Sequence, residues 1–286
     1  MLSFTTRRQR SPIYRSVKGA SVHPQGFSLF EMAIVLVIIA ILLTAVGIPL
    51  ATQVQARRTE ETRRMLDEAK DALLGFAMAN GRFPCPAFAN ATTNSGGRES
   101  FCTAATGSCA GSETNTPQSH GNCSNFTSGF LPASTLGMSP LDDQGFLQDS
   151  WATRSNRIRY IVFDGTIVSA HPFTSWSAMQ AATLSNLGNP AQNYLYICSS
   201  GTGVTATNCG STANELTTHA PILIMSLGPN AATGSGGTDE AMNIDNDNVF
   251  VSHTPVVGGT NAFDDILTWI PINIIMKKML DAGKLP

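Results

Sequence analysis

Charge is what this chain has least of. Acidic and basic residues make up 13% of its 286 positions, with a formal net charge of −2, where about a quarter is usual. No overall excess of base marks it for nucleic acid. The composition excludes a coiled coil and a collagen, and no apolar heptad is sustained. Only one apolar run is long enough for a bilayer, which excludes a multi-span membrane protein. Neither G-x-S-x-G nor H-E-x-x-H occurs, and His120, His171, His219 and His253 are scattered. The nucleophile, base and orienter of an enzyme are therefore not in sight. No C-x-x-C pair and no histidine at ligand spacing supports a zinc site.

What is present is unevenly placed. Gly 25 and Pro 15, with many Ser, Thr and Asn, indicate a loop-rich fold, while 42% hydrophobic residues suffice for a core. Residues 32–51 carry no charge; as a helix they reach about 30 Å, the thickness of a bilayer's hydrocarbon core. Residues 1–26 hold five bases (Arg7, Arg8, Arg10, Arg15, Lys18) and no acid. That asymmetry puts the N-terminus in the cytoplasm and the remainder across the membrane, a bias that Arg57 and Arg58 dilute without reversing. The run is longer than the core of a secretory signal, and no small-residue cleavage site follows it. Glu31 stands at its edge, where a carboxylate is costly unless solvated at the headgroups or functional.

Ahead of the run the chain reads Gly26-Phe27-Ser28-Leu29-Phe30-Glu31-Met32. Here it resembles the type IV pilin and type II secretion pseudopilin superfamily. The resemblance implies that a prepilin peptidase cuts between Gly26 and Phe27 and that the new N-terminal Phe27 is methylated. It implies that Glu31 pairs with the Phe27 ammonium of a neighbouring subunit, relieving two charges that are costly unpaired in an apolar core. The implied fold is an α+β lollipop: a leader over 1–26, a long helix over 27–80 that is transmembrane at about 30–51, and a periplasmic or extracellular head over 81–286. The head is an antiparallel β-sheet with long disulfide-tied loops.

The residues after the membrane agree with this layout. Met65, Ala69, Ala72, Leu73 and Phe76 recur at helical spacing between charges of alternating sign. Asn80-Gly81 and Pro84 end the helix, while Gly47 and Pro49 favour a bend within it. One stripe of its second half needs a packing partner. Strands are predicted at 157–163, 194–198, 222–227 and 249–252, and helices at 176–187 and 271–282. Connections without crossover helices predict antiparallel pairing. Residues 88–128 read as a long irregular loop, with sequons at Asn90, Asn122 and Asn125 as chance products of its composition.

The six cysteines, an even number in an exported domain, favour disulfides. Many connectivities are open. One assignment staples Cys198 to Cys209 across a Gly/Thr-rich excursion, ties Cys85 at the helix exit to Cys123, and leaves Cys102 with Cys109. Residues 239–247 hold four acids and no base. With Ser226-Leu227-Gly228 before them, they resemble the S-x-G loop and acidic stretch that bind Ca²⁺ in major pseudopilins, which implies Asp239, Asp245 and Asp247 as ligands. Hard oxygen donors suit Ca²⁺; a solvated acidic loop is the other reading. Residues 81–87, 129–132, 149–151 and 263–265 with Trp269 also resemble one branch of pilin-like proteins.

The resemblance implies a structural subunit and not an enzyme. It would be a minor pilin or pseudopilin of a type IV pilus or type II secretion-like filament, anchored in the inner membrane. Its partners would be other pilin subunits and prepilin peptidase. The alternative is a filament-tip module that recognises a surface or a secreted substrate. Residues 80–286 hold eight bases and fourteen acids, a net of −6. This opposes nucleic acid as a partner, and the one basic cluster is Arg154, Arg157 and Arg159.

Overall fold

The computed structural model describes residues 26, 28–88, 96–107, 109, 111–234 and 236–285, without the side chains of 43–51. The leader up to residue 25, Phe27 and the sequon Asn90 lie outside the described residues. The chain divides into two units, Met1–Thr52 and Gln53–Pro286. Its elements are α1 (Leu29–Asn80), β1 (Phe101–Cys102), β2 (Glu113–Thr114), α2 (Ala133–Leu136), β3 (Arg159–Val162), α3 (Trp176–Ala181) and α4 (Leu184–Leu187). They continue with β4 (Leu195–Cys198), β5 (Glu215–Ala220), β6 (Ile222–Ser226), α5 (Thr238–Ala241), β7 (Val249–Val251), β8 (Ile266–Ile270) and α6 (Ile272–Asp281).

In the first unit α1 presents an unbroken apolar surface from Met32 to Leu42. Every residue from 28 to 42 is exposed, including Leu29, Phe30, Leu36 and Leu42. Among the described residues no helix is long and apolar enough to cross a membrane. The uncharged run continues through 43–51, whose side chains are not described.

In the second unit the same helix buries one stripe: Thr62, Leu66, Ala69, Leu73 and Ala77. These positions recur every three or four residues and so share one face. Ala69 and Leu73 are where the sequence pattern puts them, while Met65, Ala72 and Phe76 flank the stripe half-buried. The helix ends at Gly81, whose φ is +73°. A side chain there would also come within 2.7 Å of the Trp176 ring, so only glycine suits both the turn and the close approach.

Against this stripe lies a three-stranded antiparallel sheet in the order β3-β6-β8. Its central strand β6 is buried at all five positions, because it is covered on both faces; hence it reads as a continuous apolar run and not an alternation. The second sheet, β5-β4-β7, departs from the antiparallel expectation: β4 pairs antiparallel with β5 but parallel with β7. The chain between β4 and β7 contains β5, β6 and α5, ample for the crossover that a parallel pair requires. The helix expected over 176–187 is two short helices. It breaks at Thr183, whose Oγ1 accepts from Asn186 N–H at 3.2 Å while Asn186 Oδ1 accepts from Thr183 N–H at 3.3 Å. That capping box starts a new helix.

Three disulfides join Cys85 to Cys123, Cys102 to Cys109 and Cys198 to Cys209, with Cα–Cα separations of 5.4, 4.9 and 5.5 Å. Each such link typically stabilises by about 2–4 kcal/mol. Beside the first, Arg82 donates to both carboxylate oxygens of Glu99, at 2.6 and 3.1 Å, and Cys85 N–H donates to Glu99 Oε1 at 3.0 Å. Both residues of this pair are buried. Glu99→Gln should therefore cost about 3–5 kcal/mol by stranding the Arg82 cation. Denaturant unfolding of the oxidised protein checks this, and an unchanged midpoint would contradict it.

Candidate functional site

Three groups of polar residues stand out. The first is the start of α1. Ser28 Oγ accepts from Glu31 N–H at 3.1 Å, and Glu31 Oε2 accepts from Ser28 N–H at 3.0 Å. This reciprocal S-x-x-E arrangement is a capping box that satisfies two donors left free at a helix start. The Glu31 carboxylate is exposed, as is Gly26.

The second group joins α1 to the sheets. Asp149 is buried; its Oδ2 accepts from Ser226 Oγ at 2.6 Å and Asn156 Nδ2 at 3.1 Å, and its Oδ1 from Trp151 N–H at 2.9 Å. Burial raises its pKa and these bonds hold it back. The adjacent Ser150 hydroxyl donates to the Arg58 carbonyl at 2.6 Å and lies 2.8 Å from Thr62 Oγ1. With its one proton committed, Ser150 Oγ accepts from Thr62. Trp151 Nε1–H donates to Gln55 Oε1 at 3.1 Å. The sequence phrase 149–151 thus reads as a clasp on α1.

The third group is acidic. The residues implied as calcium ligands are not gathered in one place. Asp239 is buried and engaged elsewhere: Oδ1 accepts from Gly201 N–H at 2.9 Å, and Oδ2 meets His253 Nε2 and Asn261 Nδ2, both at 3.0 Å. Asp245 is exposed and accepts from Asp247 N–H at 3.4 Å. Burial first, then the neighbouring Asp245, pushes Asp247 up to about 6, against the Val249 N–H bond.

Among the described residues the carboxylates that do converge are Glu240, Asp264 and Asp265, with ligand atoms all within 4.8 Å. Glu240 and Asp265 are buried. Glu240 Oε1 accepts from Asp264 N–H at 2.6 Å, and Oε2 accepts from Asn230 Nδ2 at 2.7 Å and from Gly236 N–H. Asp265 Oδ2 accepts from Asn243 Nδ2 at 2.8 Å. Asp264 Oδ1 and Asn230 Oδ1 are buried without a hydrogen-bond partner. Gly228, at φ +63°, packs so closely on Asp264 Oδ1 that any side chain would collide with it. The donors are all oxygen, and two buried acceptors are unmet, so the group fits a hard cation such as Ca²⁺.

The sequence reading missed this trio because it weighed acids by proximity along the chain. Glu240 lay inside the acidic stretch, but its partners are 24 and 25 residues later. The signal was the adjacent pair Asp264-Asp265 just before an apolar strand. Of the basic cluster, Arg154 pairs with Asp143 and Arg157 with Asp142, each at 2.6 Å.

Residues 23–47 match the family model of the prokaryotic N-terminal methylation motif, the signature of type IV pilins and pseudopilins. No curated protein and no solved structure matches the chain. The motif implies prepilin peptidase processing, a membrane-anchored precursor and assembly with other pilin subunits.

Burial, with added repulsion from Glu240, pushes Asp264 up to about 7. Asp265 is pushed up to about 8, by burial first and then by Glu240 and Asp264, against the Asn243 bond and the Arg159 charge. In the unfolded chain both fall back to about 3.8. The folded state then holds protons the unfolded state has released, so stability is full below the unfolded value and is lost as pH rises through about 7 and 8. With EDTA present, the melting temperature should drop between pH 5 and pH 8, and Asp265→Asn should flatten the drop. A melting temperature that rises over this range contradicts the assignment.

Proposed function

We propose that this chain is a minor subunit of a type IV pilus or type II secretion-like filament, acting by helix packing and not by catalysis. The observation that carries the reading is Glu31, standing at the N-terminal edge of an exposed apolar helix within the matched motif. The apolar run of 32–51 is read as a single inner-membrane span, with the leader in the cytoplasm and the head outside. The head is large beside its one long helix, which favours a minor over a major subunit.

The mechanism follows from two charges. Cleavage between Gly26 and Phe27 creates an ammonium four residues before Glu31. In the lone subunit Glu31 is held by its own capping box with Ser28, which fixes the carboxylate at the helix end and leaves it free lone pairs. In a filament the Phe27 ammonium of a neighbour takes them. An apolar core makes that pair specific, because stranding either charge there costs about 3–5 kcal/mol.

Glu31→Gln separates capping from charge. Glutamine can reach back to the Ser28 N–H as glutamate does, so folding and processing should be retained. The carboxylate is lost, so incorporation into filaments or envelope assemblies should fall to background. Co-purification with other pilin subunits at the native level would reject the pairing mechanism.

The Ca²⁺ implied by the resemblance would be held by Glu240, Asp264 and Asp265, bracing α5 and the 228–230 turn against β8. A ligand that binds only the folded state raises the melting temperature. Millimolar Ca²⁺ should do so at pH 8 for the native chain and not for Asp265→Asn. No shift in the native chain excludes the cation.

A further inference from the structure

A groove of about 360 Å³ opens on the second unit, lined by Gln55, Thr59, Trp151, Val256, Val257 and Phe263. One wall is a hairpin whose loop spans residues 257–262: Val256 N–H donates to the Phe263 carbonyl at 2.9 Å and Phe263 N–H to the Val256 carbonyl at 3.0 Å. Val256, in that closing pair, is 43% exposed, and Val257, the first residue of the loop, is 100% exposed. No Asp, Glu, Lys or Arg occurs from residue 248 to 263. Asp264 is the one acidic residue in the groove's lining, and exposed apolar surface of this kind marks a contact.

Its place in the chain says with what. Gln55 is four residues beyond Ala51, where the apolar run of 32–51 ends. By chain length alone it lies within about 14 Å of the end of that run. Trp151 has its N–H satisfied by Gln55 and adds an apolar ring to the groove, the amphipathic form enriched at membrane–water interfaces. Residues 57–64, beginning two positions after Gln55, hold four arginines against two glutamates; Arg64 pairs with Glu68 at 2.9 Å, and Arg57, Arg58 and Arg63 are exposed. Such an excess is drawn to anionic headgroups.

We infer that, before assembly, the Val256–Val257 turn and Trp151 seat in the headgroup layer of an anionic bilayer. The inference rests on the reading of 32–51 as a membrane span. Seating would hold the head on the membrane, and extraction into a filament would expose the turn.

All six native cysteines are in disulfides, so one added cysteine takes a probe specifically. The full processed chain is placed at high dilution in phosphatidylethanolamine–phosphatidylglycerol vesicles. An environment-sensitive fluorophore is attached at Val257→Cys, at Ile38→Cys in the apolar run, or at Gln180→Cys. Gln180 is exposed on α3, which packs at the Gly81 end of α1, about 40 Å along the helix from Gln55. The expected result is a blue-shifted probe at 257, quenched by lipids spin-labelled near the headgroup, a water-like probe at 180 and a deeply quenched probe at 38. A water-like probe at 257 beside a quenched one at 38 overturns the inference and leaves the span intact. A water-like probe at 38 removes the span, and the inference with it. Shielding at 257 that appears only as protein density rises means that a second copy covers the turn, which also overturns it.

Discussion

The burial of one stripe of α1, from Thr62 to Ala77, is the contact on which the rest of the head depends. Leu66, Ala69, Leu73 and Ala77 share a core with Tyr160 of β3, Ile224 of β6, Ile270 of β8 and Ile275 of α6. A fully buried leucine contributes about 1.5–3 kcal/mol, so the stripe fixes which face of the helix turns inward. Apolar contact is non-directional, however, and does not by itself choose the register along the helix. The polar clasp does that: Ser150 meets Thr62 and the Arg58 carbonyl, and Trp151 meets Gln55. A slide by one turn would keep much of the apolar area and break every one of these bonds.

The clasp leads inward through a continuous polar chain. Asp149, next to Ser150, accepts from Ser226 at the end of β6. Ser226 Oγ accepts from Gly228 N–H at 3.1 Å, and Gly228 packs on Asp264. The Glu240–Asp264–Asp265 group therefore sits at the far end of the contacts that begin on α1. Neutralising it, by protons or by a cation, would firm the turn that backs the clasp. On the proposed reading, this would give the acidic group a structural part in presenting α1 for assembly.

Much of this layout was legible in the sequence where a single physical signal dominates. The end of α1 follows from Asn80-Gly81. The strands β3, β4, β6 and β7 follow from short apolar runs, and α6 follows from Pro271 at its start. What escaped depends on tertiary context. β5, with the sequence Glu215-Leu-Thr-Thr-His-Ala, is polar because it lies at the edge of its sheet. β8 carries Thr268 and Trp269 half-buried and shows no clean alternation. The parallel pairing of β4 with β7 is a long-range choice that no local pattern encodes. The acidic trio was invisible for the same reason, since its members are brought together by the fold. At the N-terminus the opposite holds: the Ser28–Glu31 capping box joins residues three apart, an S-x-x-E spacing that is local in the sequence.

The central claim is that a leader is removed at the edge of the apolar helix and that the rest is an oxidised head outside the cytoplasm. Intact mass analysis of the protein isolated from membranes tests it most directly. The account predicts the mass of residues 27–286 with one added methyl group and six fewer hydrogens, one pair for each of the three disulfides. A mass that retains Met1, a cut after residue 51, or six free thiols would contradict it.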